Sequence, residues 1–251
     1  MANALWVAPS LNGQWAPSSR TNESYYRKLI TSRPSLAGFW RLDLPTGTTD
    51  FDQSTKGNTD TIAGGFTLNQ PVVLVDQDWA VLFDGATGRA SVPDNAAFHL
   101  GDVFTLSFWL KRSAVGLGAT VGLIDAVAAS SMNVQLGTDD KIIVLARAAG
   151  TVAKSSTAIT DTTTWHHFAW THDVGQVSTI YQDGVNVTTA PVGHAISNAN
   201  GLVFAALNGP SNEFPGQMAN VMLAGATFTA AQVAAEFRVG IGGAPIFGQQ
   251  V

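Results

Sequence analysis

Apolar and polar residues alternate in short bursts along most of this chain. The clearest burst is Phe104-Thr-Leu-Ser-Phe-Trp-Leu-Lys, in which Phe104, Leu106, Phe108 and Leu110 share one face. A period of two marks a half-buried strand, because successive side chains point to opposite sides of a sheet. Comparable runs rich in Val, Ile, Phe, Trp and Thr predict strands at 37–42, 79–83, 90–92, 104–111, 120–126, 132–136, 141–146, 164–171, 177–182, 185–189, 201–206 and 217–224. Gly, Asp, Asn and Pro separate them. Asp183-Gly184 reads as a hairpin turn, since such turns need positive φ. Many short strands joined this way predict a two-sheet antiparallel sandwich rather than βαβ units.

Two places break the pattern. Thr229-Ala-Ala-Gln232 matches a capping box, in which the Thr hydroxyl accepts from the backbone and the Gln reaches back. It opens a short helix over 230–238, with Phe228 placed to staple its entry and Gly240 placed to end it. The N-terminal stretch has no period over residues 1–22 and carries Pro9, Pro17 and Pro34 among Ser and Asn. A short helix over 23–30, stopped by Arg33-Pro34, is its one regular feature. The expected organisation is an extended arm at 1–34, a sandwich at 35–239 and a Gly-rich tail at 240–251. A disordered leader is the competing reading of the arm. As an arm, its Trp6, Trp15, Tyr25 and Tyr26 are the expected anchors on a partner, and its deletion leaves the sandwich folded.

Composition narrows the partners. Apolar residues make up 45% of 251, enough for a substantial core, whereas charged residues make up only 12%, about half the usual share. A net charge of −5 without a Lys/Arg cluster argues against nucleic acid. The sequence has no apolar run long enough for a transmembrane helix, and its first residues lack the basic start of a secretory signal. With no cysteine, neither disulfides nor thiolate metal sites are available.

Several segments together resemble the laminin G-like and concanavalin A-like jelly rolls, the lectin/glucanase superfamily. These are Phe39-Trp40-Arg41-Leu42-Asp43; Phe83-Asp84-Gly85 with Val92-Pro93 and Phe104-Thr105-Leu106 through Trp109; Trp165-His166-His167-Phe168-Ala169 with Tyr181-Gln182-Asp183-Gly184; and 214–223 followed by Phe228-Thr229. The resemblance spans residues 36 to 238 in order. It implies an all-β jelly roll with one short C-terminal helix, and Trp40, Trp109 and Trp165 as the rings that fill the gap between the sheets.

The residues give little chemistry. Glycoside hydrolysis needs two carboxyls facing one bond. The three glutamates, Glu23, Glu213 and Glu236, are far apart in sequence, and Asp50, Asp52, Asp76 and Asp78 lie in turn-like stretches. His166 and His167 alternate faces and cannot share a metal, His172 falls ~20 Å along the strand from His166, and His99 and His194 are isolated. No catalytic residue, cofactor or metal is therefore expected. Some relatives hold calcium, for which Asp43, Asp52, Asn58 and Asp84 are the oxygen donors to examine, but Ala219-Asn220 and Leu44 stand where acids are common. Sugar contacts are expected, if anywhere, in loops 125–132 and 208–214.

The expected function is a non-catalytic virion component, a bacteriophage capsid-decorating or tail protein assembled in the host cytoplasm through its arm. Its partners would be virion proteins or copies of itself. The resemblance carries this setting through Tyr25-Tyr26-Arg27-Lys28 followed by Ser35–Leu42. The alternative is a carbohydrate-binding, lectin-like module with a cell-surface glycan as partner. A glycosidase ranks last.

Overall fold

A computed structural model describes residues 25–75, 79–126, 131–146, 150–189, 191–197, 200–207 and 212–242. They form a jelly roll of two antiparallel sheets with two helices. The strands are β1 Leu36–Trp40, β2 Thr49–Asp50, β3 Asp60–Ala63, β4 Phe66–Pro71, β5 Trp79–Asp84, β6 Arg89–Val92, β7 Phe104–Arg112, β8 Val121–Ala126 and β9 Met132–Leu136. They continue with β10 Lys141–Ala146, β11 Gly150–Ala158, β12 His166–His172, β13 Ser178–Gln182, β14 Val185–Asn186, β15 Thr188–Thr189, β16 Leu202–Phe204 and β17 Pro215–Ala224. The helices are α1 Tyr25–Thr31 and α2 Ala230–Gly240.

One sheet runs β14-β13-β12-β7-β17-β5-β4, and the other runs β15-β11-β10-β9-β8-β16-β6-β3-β2. In the first, β17 is the organising strand. One edge pairs with β7, while the other is shared end to end by β5, through Pro215–Met218, and β1, through Val221–Ala224. Between those partners Asn220 turns left-handed at φ 50 and donates its N–H to Arg41. The predicted strand at 185–189 is two strands. Its first half ends one sheet as β14, and its second half ends the other as β15. The Asp183-Gly184 turn forms as expected, with φ of 52 and 76.

Four strands escape the pattern reading. β2 and β3 are short, and β11 is built from Ser, Thr, Ala and Lys, so neither shows an apolar run. β4 alternates but ends in Pro71 and is irregular around Asn69, as befits a sheet edge.

The inter-sheet core contains Trp40, Phe83, Phe98, Phe104, Leu106, Phe108, Phe168, Trp170 and Phe204. Trp40 fills the gap as expected. Trp109 and Trp165 do not: they pack with Leu74, Ala80, Ala219 and Phe237 on the outer side of the first sheet. The alternation dictates this, because a strand that sends Phe108 and Leu110 inward must send Trp109 outward.

The two helices cover that outer face. Tyr26, Leu29 and Ile30, spaced i, i+3, i+4, pack with Phe39, Tyr181, Met222, Phe228 and Val233. The arm boundary at 34 therefore needs correction, since the segment from Tyr25 onward packs on the sandwich. α2 has the predicted capping box, Thr229 with Gln232. It runs to Gly240, and the left-handed residue after it is Gly242, at φ 85. Gly240 serves packing instead. A β-carbon there would lie 2.4 Å from the Trp109 ring, so its absence lets the helix rest on the indole.

Candidate functional site

Of the four proposed arm anchors, Trp6 and Trp15 lie outside the described residues. Tyr26 is not available to a partner. It is 2% exposed, and its hydroxyl accepts a 3.1 Å hydrogen bond from Trp109 Nε1. Tyr25, its neighbour at the start of the helix, is half exposed.

The residues that look most like chemistry are sealed. Ser107 on β7, His167 on β12 and Glu236 on α2 meet beneath the helix. Ser107 Oγ donates to Glu236 Oε1 at 2.5 Å, and His167 Nε2 lies 3.2 Å from the same oxygen. A nucleophilic triad needs its serine on the histidine. Here the serine is on the carboxylate, and each of the three is at most 1% exposed. Burial pushes the Glu236 pKa up, but His167 and the nearby Arg33 and Ser107 outweigh it, so the carboxyl is held below its ordinary value.

His166 points the other way, as the alternation predicts. Its Nδ1 meets Asp183 at 2.8 Å and its Nε2 meets Asp161 at 2.9 Å, so both ring nitrogens are engaged. The Asp183 contact leads in raising its pKa. His172 is buried and its pKa is lowered by desolvation, while His99 pairs with Asp94 at the surface. Glu213 is buried at 3% exposure; Glu23, Asp76 and Asp78 lie outside the described residues.

The four calcium candidates do not converge. Asp43 pairs with Arg41 at 2.8 Å. Asp52 accepts from the backbone of Phe39, Ser54 and Asn58, and Asn58 donates to the Ala37 carbonyl. Asp84 caps its own turn. Among the described residues, no group of three or more His, Cys, Asp or Glu is placed to hold a metal ion. Asp50 and Asp60 form a buried acidic pair, in register on β2 and β3. Asp60 Oδ1 accepts the Asp50 N–H at 3.1 Å, and Asp50 Oδ2 accepts the Leu42 N–H at 2.7 Å. Burial raises both pKa values, and the neighbouring carboxyl adds to the rise at Asp60.

The open feature lies on the first sheet, where β4, β5 and β17 leave a depression of about 250 Å³. Leu82 is half-buried in it, and Thr67, Asp84, Ser113 and Pro215 surround it. The register aligns these residues: Thr67 faces Leu82, Asp84 faces Pro215, and Ser113 donates its N–H to the Pro215 carbonyl. Asp84 Oδ1 accepts three backbone N–H groups, from Ala86, Thr87 and Gly88, each at 2.9 Å. Those donors hold its pKa down to about 2, so the carboxylate stays ionised. A β-carbon on Gly65 would fall 1.7 Å from Asp84 Oδ2, so glycine is what admits the carboxylate here. The Thr67 and Ser113 hydroxyls make no hydrogen bond to another described residue.

An apolar floor with a fixed acceptor and two free hydroxyls suits a polyhydroxylated ring, whose C–H face and O–H edge need both. Sequence reasoning points to none of these residues for sugar contact, although Pro215 directly follows the loop 208–214 that it does name. Of the described residues in the two expected loops, Asp125, Met132, Glu213 and Phe214 are turned into the fold, whereas Asn212 is exposed. The signal for the pocket was the Phe83-Asp84-Gly85 turn, in which Asp84 reads as a turn former or a calcium donor and not as a sugar contact.

Comparisons with solved structures find the same fold in other proteins. Domain 4 of AbnA, an extracellular GH43 arabinanase from Geobacillus stearothermophilus solved with arabinotriose, superposes with a TM-score of 0.61 at 15% identity, over 80% of this chain and 98% of that one. The binding domain of Paraclostridial Mosquitocidal Protein 1 gives 0.64 at 15% identity, over 81% of this chain and 52% of that one. The binding domain of botulinum neurotoxin DC, solved with rat synaptotagmin II, gives 0.63 at 16%, over 81% and 51%. The chain thus spans about half of the toxin domains and nearly all of the arabinanase domain. At such identities the likeness is one of fold. No curated protein sequence matches the chain. Residues 84–234 match the laminin G-like family model of the concanavalin A-like lectin/glucanases superfamily, and with more than half its length matched the chain belongs to that superfamily.

Proposed function

We propose that this chain is a non-catalytic, lectin-like binding module that holds one sugar ring in the pocket lined by Thr67, Leu82, Asp84, Ser113 and Pro215. The observation that carries the reading is the combination of an ionised, backbone-fixed Asp84 with two unengaged hydroxyls over an apolar floor. Fold neighbours that include two toxin binding domains and an arabinanase domain solved with arabinotriose support it. The non-catalytic part rests on Glu236, His167 and Ser107, which are sealed under α2.

The setting we propose is an adhesive one on a virion, with other virion proteins or further copies of the chain as neighbours and assembly in a host cytoplasm. The 12% charged composition favours it, because a charge-poor surface is often a covered one. Tyr26 does not contribute, being occupied within the fold.

A glycan array followed by titration of the best neutral glycan tests the reading. Thr67→Val with Ser113→Ala, both at exposed positions, should weaken binding about tenfold or more while leaving the melting curve unchanged. Binding that survives the double change would move the site elsewhere, and release of cleaved sugar would overturn the non-catalytic reading.

A further inference from the structure

A second depression, of about 230 Å³, opens between the end of α1 and the loop after β2. Thr31, Arg33, Ser35, Ser54, Thr55 and Lys56 line it, and no carboxylate among the described residues does. The protein as a whole is acidic, with thirteen Lys and Arg against eighteen Asp and Glu. Yet Arg27, Lys28, Arg33 and Lys56 all belong to the two segments that frame this one corner. Arg27 reaches across to Gln53 at 2.5 Å and ties them together.

The nearby acids are already engaged. Asp52 accepts from the backbone of Phe39, Ser54 and Asn58 and from the Ser54 hydroxyl. Glu236 influences Arg33 but is buried beneath α2 against Ser107 and His167. Arg33 is 4% exposed, donates Nη2 to the Gln232 carbonyl and stacks over Phe228, and its Nε and Nη1 have no partner. Its charge is therefore fixed behind the pocket wall. At the mouth, Lys56 forms no ion pair with a described residue, and the Ser35 and Thr55 hydroxyls make no hydrogen bond to one.

Fixed positive charge behind a wall, a free ammonium at the rim and unengaged hydroxyls are the donors that an oxyanion takes. We infer that this corner binds the oxyanion of a small acidic ligand, such as the carboxylate of an acidic sugar or an inorganic sulfate. The site is separate from the sugar pocket. Ser35 receives the N–H of Gly225, just beyond the end of β17, whereas the pocket sits at Pro215, where that strand begins. Ten strand residues put the two roughly 30 Å apart.

The test is NMR titration of the full chain at low salt with sodium sulfate, glucuronate and, as the neutral control, glucose. Saturable shifts at Ser35, Thr55 and Lys56 with either anion and none there with glucose are expected. Lys56→Glu, at an exposed position, should cut the affinity about tenfold or more, and added salt should weaken wild-type binding. Tighter binding of glucuronate assigns the anion to a sugar, and tighter binding of sulfate assigns it to a free oxyanion; either supports the site. Absence of saturable binding by both anions, or binding unaffected by Lys56→Glu, overturns it. Thr67→Val with Ser113→Ala should leave these shifts intact, so failure of the sugar pocket and failure of this site are read separately.

Discussion

Trp109 donates its indole N–H to the Tyr26 hydroxyl across 3.1 Å, and so joins helix α1 to a strand 83 residues away. Both groups are buried, and among the described residues each has the other as its only hydrogen-bond partner. Tyr26→Phe should leave the indole N–H unsatisfied and destabilise by about 1–3 kcal/mol. Trp109→Ala, which also empties the space beneath Gly240, should cost about 3–5 kcal/mol. Deletion of residues 1–34 should lower the urea midpoint well below that of a chain lacking only 1–24. Equal midpoints for the two truncations would show that α1 contributes nothing to the fold.

The Asp50–Asp60 pair predicts loss of stability with rising pH. Burial pushes the folded pKa values up to about 7 and about 8. In the unfolded chain they fall near 4. The folded state therefore holds more protons between these limits, and its advantage, full below pH ~4, is lost as pH rises through ~8. Asp60→Asn should flatten this limb and raise stability at pH 8 by at least about 1 kcal/mol. A wild-type midpoint independent of pH from 5 to 8 would contradict the assignment.

Glu236 works in the opposite direction. Its folded pKa is lowered, so the stability it contributes is present above the ordinary glutamate value and is lost as pH falls through the depressed one. Glu236→Ala leaves His167 and Ser107 without their shared acceptor, at a cost of about 3–5 kcal/mol at neutral pH. Glu236→Gln should fold but lose the acid limb while keeping the alkaline one. If the acid limb persists in Glu236→Gln, another carboxyl is responsible for it.

The architecture was legible in the sequence wherever one residue type determines the local geometry. The alternation around Phe104 placed β7, Asp183-Gly184 made the hairpin, and Thr229 with Gln232 capped α2. The outward direction of Trp109 was legible too, since Phe108 and Leu110 are its neighbours, but its aromatic bulk suggests the gap between the sheets and masks the parity. What could not be read was which distant segments meet. The sheet order interleaves strands remote in the chain, so His167 finds Glu236 sixty-nine residues on, and the pocket at Asp84 draws on residues from 65 to 215. Such meetings leave no local period. The stripe Tyr26, Leu29, Ile30 was too short beside Pro34 to distinguish a docked helix from an arm.

The sheet margins bear on how this domain can be used. β14, β15 and β2 are two residues long, and β4 is broken by its irregularity at Asn69 and closed by Pro71. None presents a straight row of free backbone groups on which a foreign strand could grow. Short and irregular end strands of this kind disfavour edge-to-edge growth between copies crowded side by side, on a particle or in tandem along a longer chain. On the proposed binding reading, a weak single-site affinity would then be multiplied by number, and dense display would be a route to strong attachment that the fold leaves open.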